Sequence, residues 1–171
     1  MALVKHEYYK GEIFAMSGAS IAHNKIAINC TLDIGNKLKG KKCQLFGSDL
    51  RIHIPKNTLY TYPDISIVSG EIETTDTKFD TITNPSVIIE IHYSSTRNYD
   101  KGEKITLYRE IDSLQEYILI DSERIIVEKF IRNTDHSWQL TEYKTIEQSF
   151  SISTVGIEMQ LFDIYEGIKM G

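Results

Sequence analysis

Apolar and polar residues alternate near the start of the chain, and a helical spacing replaces this pattern directly afterwards. Residues 7–18 (EYYKGEIFAMSG) predict a strand or hairpin. Residues 20–40 predict a helix, for which Ser20 is a suitable N-cap and Gly40 a suitable stop. We expect one face of this helix to be formed by Ile21, Lys25, Ile28, Leu32 and Leu38, with Ile26 and Ala27 beside it.

Three strand candidates follow the helix. Residues 43–55 (CQLFGSDLRIHIP) alternate and end at a proline, residues 60–68 (YTYPDISIV) form the second, and residues 85–93 (PSVIIEIHY) form the third. The third is apolar on both faces, which is typical of a central, buried strand. Residues 69–84 are polar and lack periodicity, so we predict a loop there.

The rest of the chain predicts one more helix and then mostly strands. The helix is residues 99–111, the hairpin that follows is residues 113–133 with the turn DSER, and the end is β-rich with a helical turn at 162–168. This order indicates an α/β or α+β fold, with a mixed central sheet flanked by helices. The length of 171 residues fits a single domain spanning 1–171.

Charge and composition narrow the class of function. A net charge of −5 argues against non-specific coating of nucleic acid, but a nuclease is compatible with it because metal-binding acids lower the net charge. No apolar run approaches the roughly 18 residues needed to cross a bilayer, and the N-terminus lacks a signal peptide pattern. We therefore expect a cytoplasmic protein without membrane contact. Cys30 and Cys43 are too few for a zinc site and are expected to be reduced.

Two acids stand at unusual places in the predicted strands. Glu90 lies inside the most apolar strand, where a carboxylate must be paired, protonated or metal-bound. Asp64 follows a proline on the preceding candidate strand, a position that also suits an ordinary strand start. If the two strands pair, both carboxylates meet at one end of the sheet, where they could hold a hard cation such as Mg²⁺.

Lys104 adds a basic group to these acids. Two carboxylates on adjacent strands with a lysine nearby suit phosphodiester cleavage, because the metal polarises the phosphate and the lysine orients water or stabilises charge. Asp100 and Tyr108 lie four residues on either side of Lys104 and share its helix face. Purely structural roles remain open at this point, with Glu90 paired to a buried base.

At these residues the sequence resembles the Uma-type family of restriction-endonuclease-like proteins, a bacterial branch of the PD-(D/E)XK nuclease superfamily. The matching segments run in family order along nearly the whole chain: GEIFAMSGASIAHN, SDLRI, YPDISIV, EIHYSST, DKGEKITLYREI and SLQEYILID. The resemblance implies a restriction-endonuclease-like core, Mg²⁺ or Mn²⁺ as cofactor, and DNA as substrate. It also implies direct attack of water without a covalent enzyme intermediate.

The resemblance further implies roles for individual residues. Asp64 and Glu90 fall on the superfamily's acids, Lys104 on the family's helix lysine, and the carbonyl of Ile91 on a further metal ligand. A second tier of candidate site residues comprises Glu12, His23, Asp49, His92, Asp100 and Tyr108. A homodimer is expected if both DNA strands are cut.

Two departures from the family pattern lie after Glu90. His92 stands where the superfamily motif has lysine, which leaves three roles open: metal ligand, general base or core histidine. The family commonly has LSPST where this chain has HYSST. Both favour an alternative, a catalytically inactive nuclease fold that binds DNA or a protein partner. A glycosidase that uses the two acids is a third interpretation, but no concentrated set of aromatic residues accompanies them.

Overall fold

The computed structural model describes residues 6–15, 19–75, 80–93 and 99–170. Ser94, Ser95 and Thr96 of the HYSST segment lie outside the described residues, as does the side chain of Asp100.

The described residues form thirteen strands, three α-helices and one π-helical turn. Their bounds are β1 (His6–Tyr9), β2 (Glu12–Ala15), α1 (Ile21–Leu38), β3 (Cys43–Gly47), β4 (Arg51–Ile54), β5 (Leu59–Thr61), β6 (Ile65–Ser69), β7 (Thr81–Ile82), β8 (Val87–His92), the π-helical turn (Tyr99–Lys104), α2 (Ile105–Tyr108), β9 (Glu116–Asp121), β10 (Val127–Arg132), β11 (Trp138–Tyr143), β12 (Ser149–Ile152), β13 (Ile157–Gln160) and α3 (Leu161–Ile164).

Two mixed sheets and a hairpin organise these strands. The N-terminal sheet has the order β2-β1-β5-β4-β7, the central sheet has the order β11-β10-β9-β8-β6-β3, and β12 pairs with β13. The pairs β4–β7 and β8–β9 are parallel, whereas the other pairs are antiparallel. The predicted α+β fold with a mixed central sheet is confirmed, as are the hairpin β9–β10 and the β-rich C-terminal part.

Apolar cores cover both faces of the central sheet. One core lies between the sheet, α1, the β12–β13 hairpin and α3, and its members include Ile26, Ile34, Ile89 and Ile118. The other lies between the sheet, α2 and the N-terminal sheet, and its members include Ile52, Leu59, Ile88 and Tyr117. Neighbouring positions on β8 therefore face different cores, which is why the whole strand is apolar.

Two predicted strands are each divided between the two sheets. Residues 43–55 form β3 in the central sheet and β4 in the N-terminal sheet, because a turn in which Leu50 N–H donates to the Gly47 carbonyl interrupts the pairing. Residues 60–68 are divided in the same way between β5 and β6, with Pro63 in the gap. The prediction of two continuous strands is wrong here. The chain crosses from one sheet to the other immediately before Asp64.

The predicted core face of α1 is also wrong for most of its residues. Ile21, Ile28 and Leu32 are 80%, 59% and 62% exposed. The buried positions are Ile26, Cys30, Ile34 and Leu38. Sequence spacing does not separate these faces because both carry apolar residues at i, i+4 or i, i+7. The helix ends were predicted well, since the hydroxyl of Ser20 accepts from His23 N–H and Gly40 follows the helix with a φ of +79°.

Smaller differences concern the second helix and the loop before β8. Residues 99–111 are π-helical up to Lys104 and α-helical only over Ile105–Tyr108. Gly102, whose α-helix propensity is low, lies within the π-helical turn. The predicted loop 69–84 contains the short strand β7, which adds to the N-terminal sheet beside β4. None of the helices within the described ranges is both long and apolar enough to span a bilayer.

Candidate active site

Asp64, directly before the start of β6, is held by two contacts. Its Oδ2 accepts from the backbone N–H of Ile91 on β8 at 2.7 Å, and its Oδ1 lies 2.8 Å from Nε2 of His23 on α1. The last ladder pair between these strands is Ile65 with Ile89, so Asp64 stands one step beyond the ladder, beside Glu90 in register. The expectation that Asp64 and Glu90 lie on adjacent, paired strands at one sheet end agrees with this geometry.

Glu90 is buried and contacts the second helical segment. Its Oε1 lies 2.7 Å from Nζ of Lys104 and accepts a hydrogen bond of 2.8 Å from the hydroxyl of Tyr108. Lys104 ends the π-helical turn and Tyr108 ends α2, four positions later. The predicted shared face of Lys104 and Tyr108 therefore meets Glu90 directly.

Glu7 is a member of this cluster that sequence reasoning missed. Its Oε1 lies 3.0 Å from Nζ of Lys104 and accepts a hydrogen bond from the hydroxyl of Thr61 on β5. Glu7, Glu90 and Lys104 are only 6%, 5% and 4% exposed, so the cluster is shielded from water. The signal in the sequence was weak, because Glu7 comes to the site through the pairing of β1 with β5, about fifty residues away.

The hydroxyl of Tyr108 is a neutral donor in this setting. Complete burial raises the pKa of Tyr108 well above its ordinary value, the negative charge of Glu90 raises it further, and the positive charge of Lys104 acts in the opposite direction. A protonated phenol can donate to Glu90 throughout the physiological pH range. Tyr108 and Lys104 together therefore fix one oxygen of Glu90.

The oxygen donors at this sheet end suit a hard cation. The carbonyl of His92 accepts from Ser122 N–H on the β9 side, so the carbonyl of Ile91 points to the opposite side, toward Asp64. Two carboxylates and this carbonyl are ligands that Mg²⁺ prefers, with water and phosphate oxygens completing its shell. Among the described residues, no three His, Cys, Asp or Glu side chains are grouped closely enough to hold a metal ion. Asp64 is contacted from α1 by His23, and Glu90 is contacted from α2 by Tyr108.

The remaining predicted positions lie in different surroundings. His23 contacts Asp64, as described above, and His92 is buried at the end of β8, opposite Asp121. Glu12 is exposed on β2, and Asp49 is exposed in the turn after β3, where it lines a cleft of about 390 Å³. The structure therefore brings His23 and Tyr108 to the acids, but it places Glu12 and Asp49 on the surface.

An open cleft of about 620 Å³ lies near the start of α1. Its lining includes Ser20 and Ala22 on either side of the α1 start, and Tyr93, Ser122 and Lys169. Ala22 precedes His23, and Tyr93 follows β8. The lining of this cleft therefore comes from residues next to the start of α1 and the end of β8.

Comparison with solved structures identifies a protein of the same fold. A crystal structure described as a "putative nuclease belonging to DUF820" from Anabaena variabilis superposes with a TM-score of 0.78, covering 94% of this chain and 89% of that chain. At 17% identity this likeness shows the fold alone.

The sequence comparisons establish the family. The model of the Uma2 family, described as "Putative restriction endonuclease", matches residues 2–162, and the chain therefore belongs to that family. Two relatives from Synechocystis, described as uncharacterized proteins slr1290 and sll1609, are 32% and 36% identical over 96% and 82% of this chain, and over 85% and 80% of their own length. The resemblance drawn from the sequence is confirmed.

Proposed function

We propose that this protein is a Mg²⁺- or Mn²⁺-dependent endonuclease that hydrolyses phosphodiester bonds in DNA. One observation carries the proposal: Lys104 and Tyr108 converge on Glu90 at the sheet end where Ile91 N–H holds Asp64. Membership of a family described as "Putative restriction endonuclease" supports the same conclusion. We further propose that the protein acts on DNA in the cytoplasm.

The carboxylates of Asp64 and Glu90, with the carbonyl of Ile91, would hold the cation. A cation bound there supplies Lewis acidity at the scissile phosphate and lowers the pKa of water. His23 restrains the Asp64 side chain from α1, and Tyr108 restrains Glu90 from α2. The protein thereby fixes both acids before substrate binds, which reduces the cost of organising the site.

Lys104 supplies the positive charge that acts on the reacting phosphate or its water. An ammonium stabilises charge that develops on the phosphoryl oxygens, and it can orient the attacking water by a hydrogen bond. Burial makes such an electrostatic effect stronger than it would be in bulk water. Lys104 thus has the role that the superfamily assigns to a lysine two residues after the second acid. In this chain His92 occupies that position, and we propose that His92 has a structural role in the core.

Plasmid cleavage tests the proposal. Supercoiled, linear and single-stranded DNA would be incubated with wild type in Mg²⁺, in Mn²⁺ and in EDTA. Wild type is expected to cleave at least one form only when the cation is present, and Lys104→Met is expected to reduce the rate constant at least about a hundredfold. Lys144→Met is the matched control, because Lys144 is an exposed lysine after β11 whose Nζ contacts Glu142.

Absence of metal-dependent cleavage from wild type would contradict the proposal. The alternative function, a nuclease fold that binds DNA or a protein without cutting, would then be preferred. Equal cleavage by wild type and Lys104→Met would instead contradict the role given to Lys104, while leaving a metal-dependent nuclease.

We also propose that the protein acts as a homodimer, since two copies can cut the two strands of a duplex. The exposed stripe of Ile21, Ile28 and Leu32 on α1 supports this proposal, because these side chains recur on one helix face between positions 21 and 32. Packing of α1 against its symmetry mate would remove this apolar surface from water.

A further inference from the structure

The ammonium of Lys104 lies between two carboxylates that come from different sheets. Glu90 is on β8 of the central sheet and Glu7 is on β1 of the N-terminal sheet, with Nζ to Oε1 distances of 2.7 Å and 3.0 Å. The side chain of Lys104 is 5% exposed, so its charge is compensated by protein groups rather than by bulk water. Of these two carboxylates, only Glu90 belongs to the predicted metal site.

A divalent cation changes the balance between these two contacts. A cation bound to Glu90 neutralises part of the negative charge that attracts Lys104. The cation also repels the Lys104 ammonium directly. A second anion beside Lys104 counteracts this repulsion in the state in which the proposed chemistry occurs. Glu7 provides that anion, and the hydroxyl of Thr61 holds Glu7 by donating to the same Oε1 that contacts Lys104.

Formal charges support separate roles for the two glutamates, with Glu90 binding the cation and Glu7 retaining Lys104. Asp64, Glu90 and Glu7 contribute −3 and Lys104 contributes +1, so the four groups sum to −2. One divalent cation brings this sum to zero. Without Glu7 the same groups and cation would carry +1, which is unfavourable for a shielded site that must retain an ammonium.

We propose that Glu7 is a positioning residue that retains Lys104 at the site when a divalent cation binds Glu90. The proposal rests on the proposed function, because it requires the cation. Glu7 has no role in binding the cation here and does not touch the reacting phosphate. It acts through Lys104, and Thr61 orients it.

Chemical labelling of Lys104 tests this role without measuring cleavage. Wild type and Glu7→Gln would be exposed to an amine-acylating reagent with and without saturating Mn²⁺, and acylation of Lys104 would be followed by peptide mass spectrometry. Lys104 of wild type is expected to stay protected in both conditions. In Glu7→Gln, Mn²⁺ is expected to raise its acylation rate about tenfold, the effect of losing one charged contact. Glu147→Gln, an exposed glutamate between β11 and β12, is the matched control.

A second variant keeps the test valid if Glu7→Gln does not fold. Thr61→Val removes the hydroxyl that orients Glu7 but keeps its charge, and it is expected to give a smaller Mn²⁺-dependent rise. Thermal unfolding of each variant shows whether it is folded. Labelling that rises equally with and without Mn²⁺ would indicate a merely structural contact and overturn the proposal.

The remaining outcomes separate this inference from the proposed function. If calorimetry shows that Mn²⁺ binds Glu7→Gln but Lys104 stays protected in Glu7→Gln and in Thr61→Val, the role of Glu7 is overturned alone. If Mn²⁺ binds neither wild type nor the variants, even with DNA present, the proposed function is overturned and this inference falls with it.

Discussion

The carboxylate of Asp64 accepts a hydrogen bond from the backbone N–H of Ile91, with 2.7 Å between oxygen and nitrogen. Pro63 lacks an N–H, and the ladder between β6 and β8 ends at Ile65 and Ile89. The Asp64 carboxylate thus accepts the hydrogen bond of Ile91 N–H at the point where backbone pairing between β6 and β8 stops. This contact explains why an acid can follow a proline at the start of a strand that is otherwise buried.

The hydrogen bond from Tyr108 to Glu90 gives a first prediction. Tyr108→Phe removes a donor to a buried carboxylate, so the free energy of unfolding at pH 7 is expected to fall by about 1–3 kcal/mol. Urea denaturation of wild type and variant measures the difference. Tyr143→Phe, which alters a half-buried tyrosine at the end of β11 that packs against Phe150, is the comparison and is expected to cost less. An unchanged unfolding free energy for Tyr108→Phe would show that this hydrogen bond does not stabilise the fold.

Alkaline pH provides a second prediction from the same residue. Because the pKa of Tyr108 is raised in the folded state above its ordinary value of 10.0, the unfolded chain loses this proton at lower pH than the folded chain. The contribution of Tyr108 to the free energy of unfolding is therefore fully present below pH 10. It decreases as the pH rises toward the pKa of Tyr108 in the folded state. Urea denaturation at several pH values should show a shallower alkaline loss for Tyr108→Phe than for wild type. Parallel curves would contradict the raised pKa.

The exposed stripe of α1 predicts a concentration-dependent dimer. Leu32→Glu places a charge in the middle of the stripe and is expected to shift sedimentation equilibrium toward monomer. The melting temperature at low protein concentration should stay nearly constant, because Leu32 is 62% exposed. Lys144→Glu, which places the same charge near the end of β11, serves as control. A wild type that is monomeric at all accessible concentrations would rule out this surface as a dimer contact.

Two isoleucines of α1, Ile26 and Ile28, show where sequence reasoning chose the wrong helix face. Ile26 is fully buried, whereas Ile28 is 59% exposed. Ile26→Ala is expected to lower the free energy of unfolding by about 3 kcal/mol, whereas Ile28→Ala should change it by less than about 0.5 kcal/mol. Chemical denaturation of both variants at low protein concentration makes the comparison. Similar losses for the two would mean that the helix is rotated relative to the structure described.

The success of sequence reasoning depended on how local each signal was. Strand alternation and helix spacing are local, and they predicted the acid inside a buried strand at Glu90 and the shared helix face of Lys104 and Tyr108. Glu7 could not be predicted in this way, because it reaches Lys104 only through pairing between β1 and β5. The crossing of the chain at Pro63 was missed for a related reason, since residues before and after it alternate alike but belong to different sheets.

The central claim is that Asp64 and Glu90 together hold a divalent cation. Calorimetric titration of Mn²⁺ into wild type, Asp64→Ala and Glu90→Ala, with and without DNA, tests it most directly. We expect binding to wild type, and we expect either substitution to abolish it, with thermal unfolding confirming that both variants are folded. Failure of wild type to bind Mn²⁺ even with DNA present, or full binding by both folded variants, would contradict the claim.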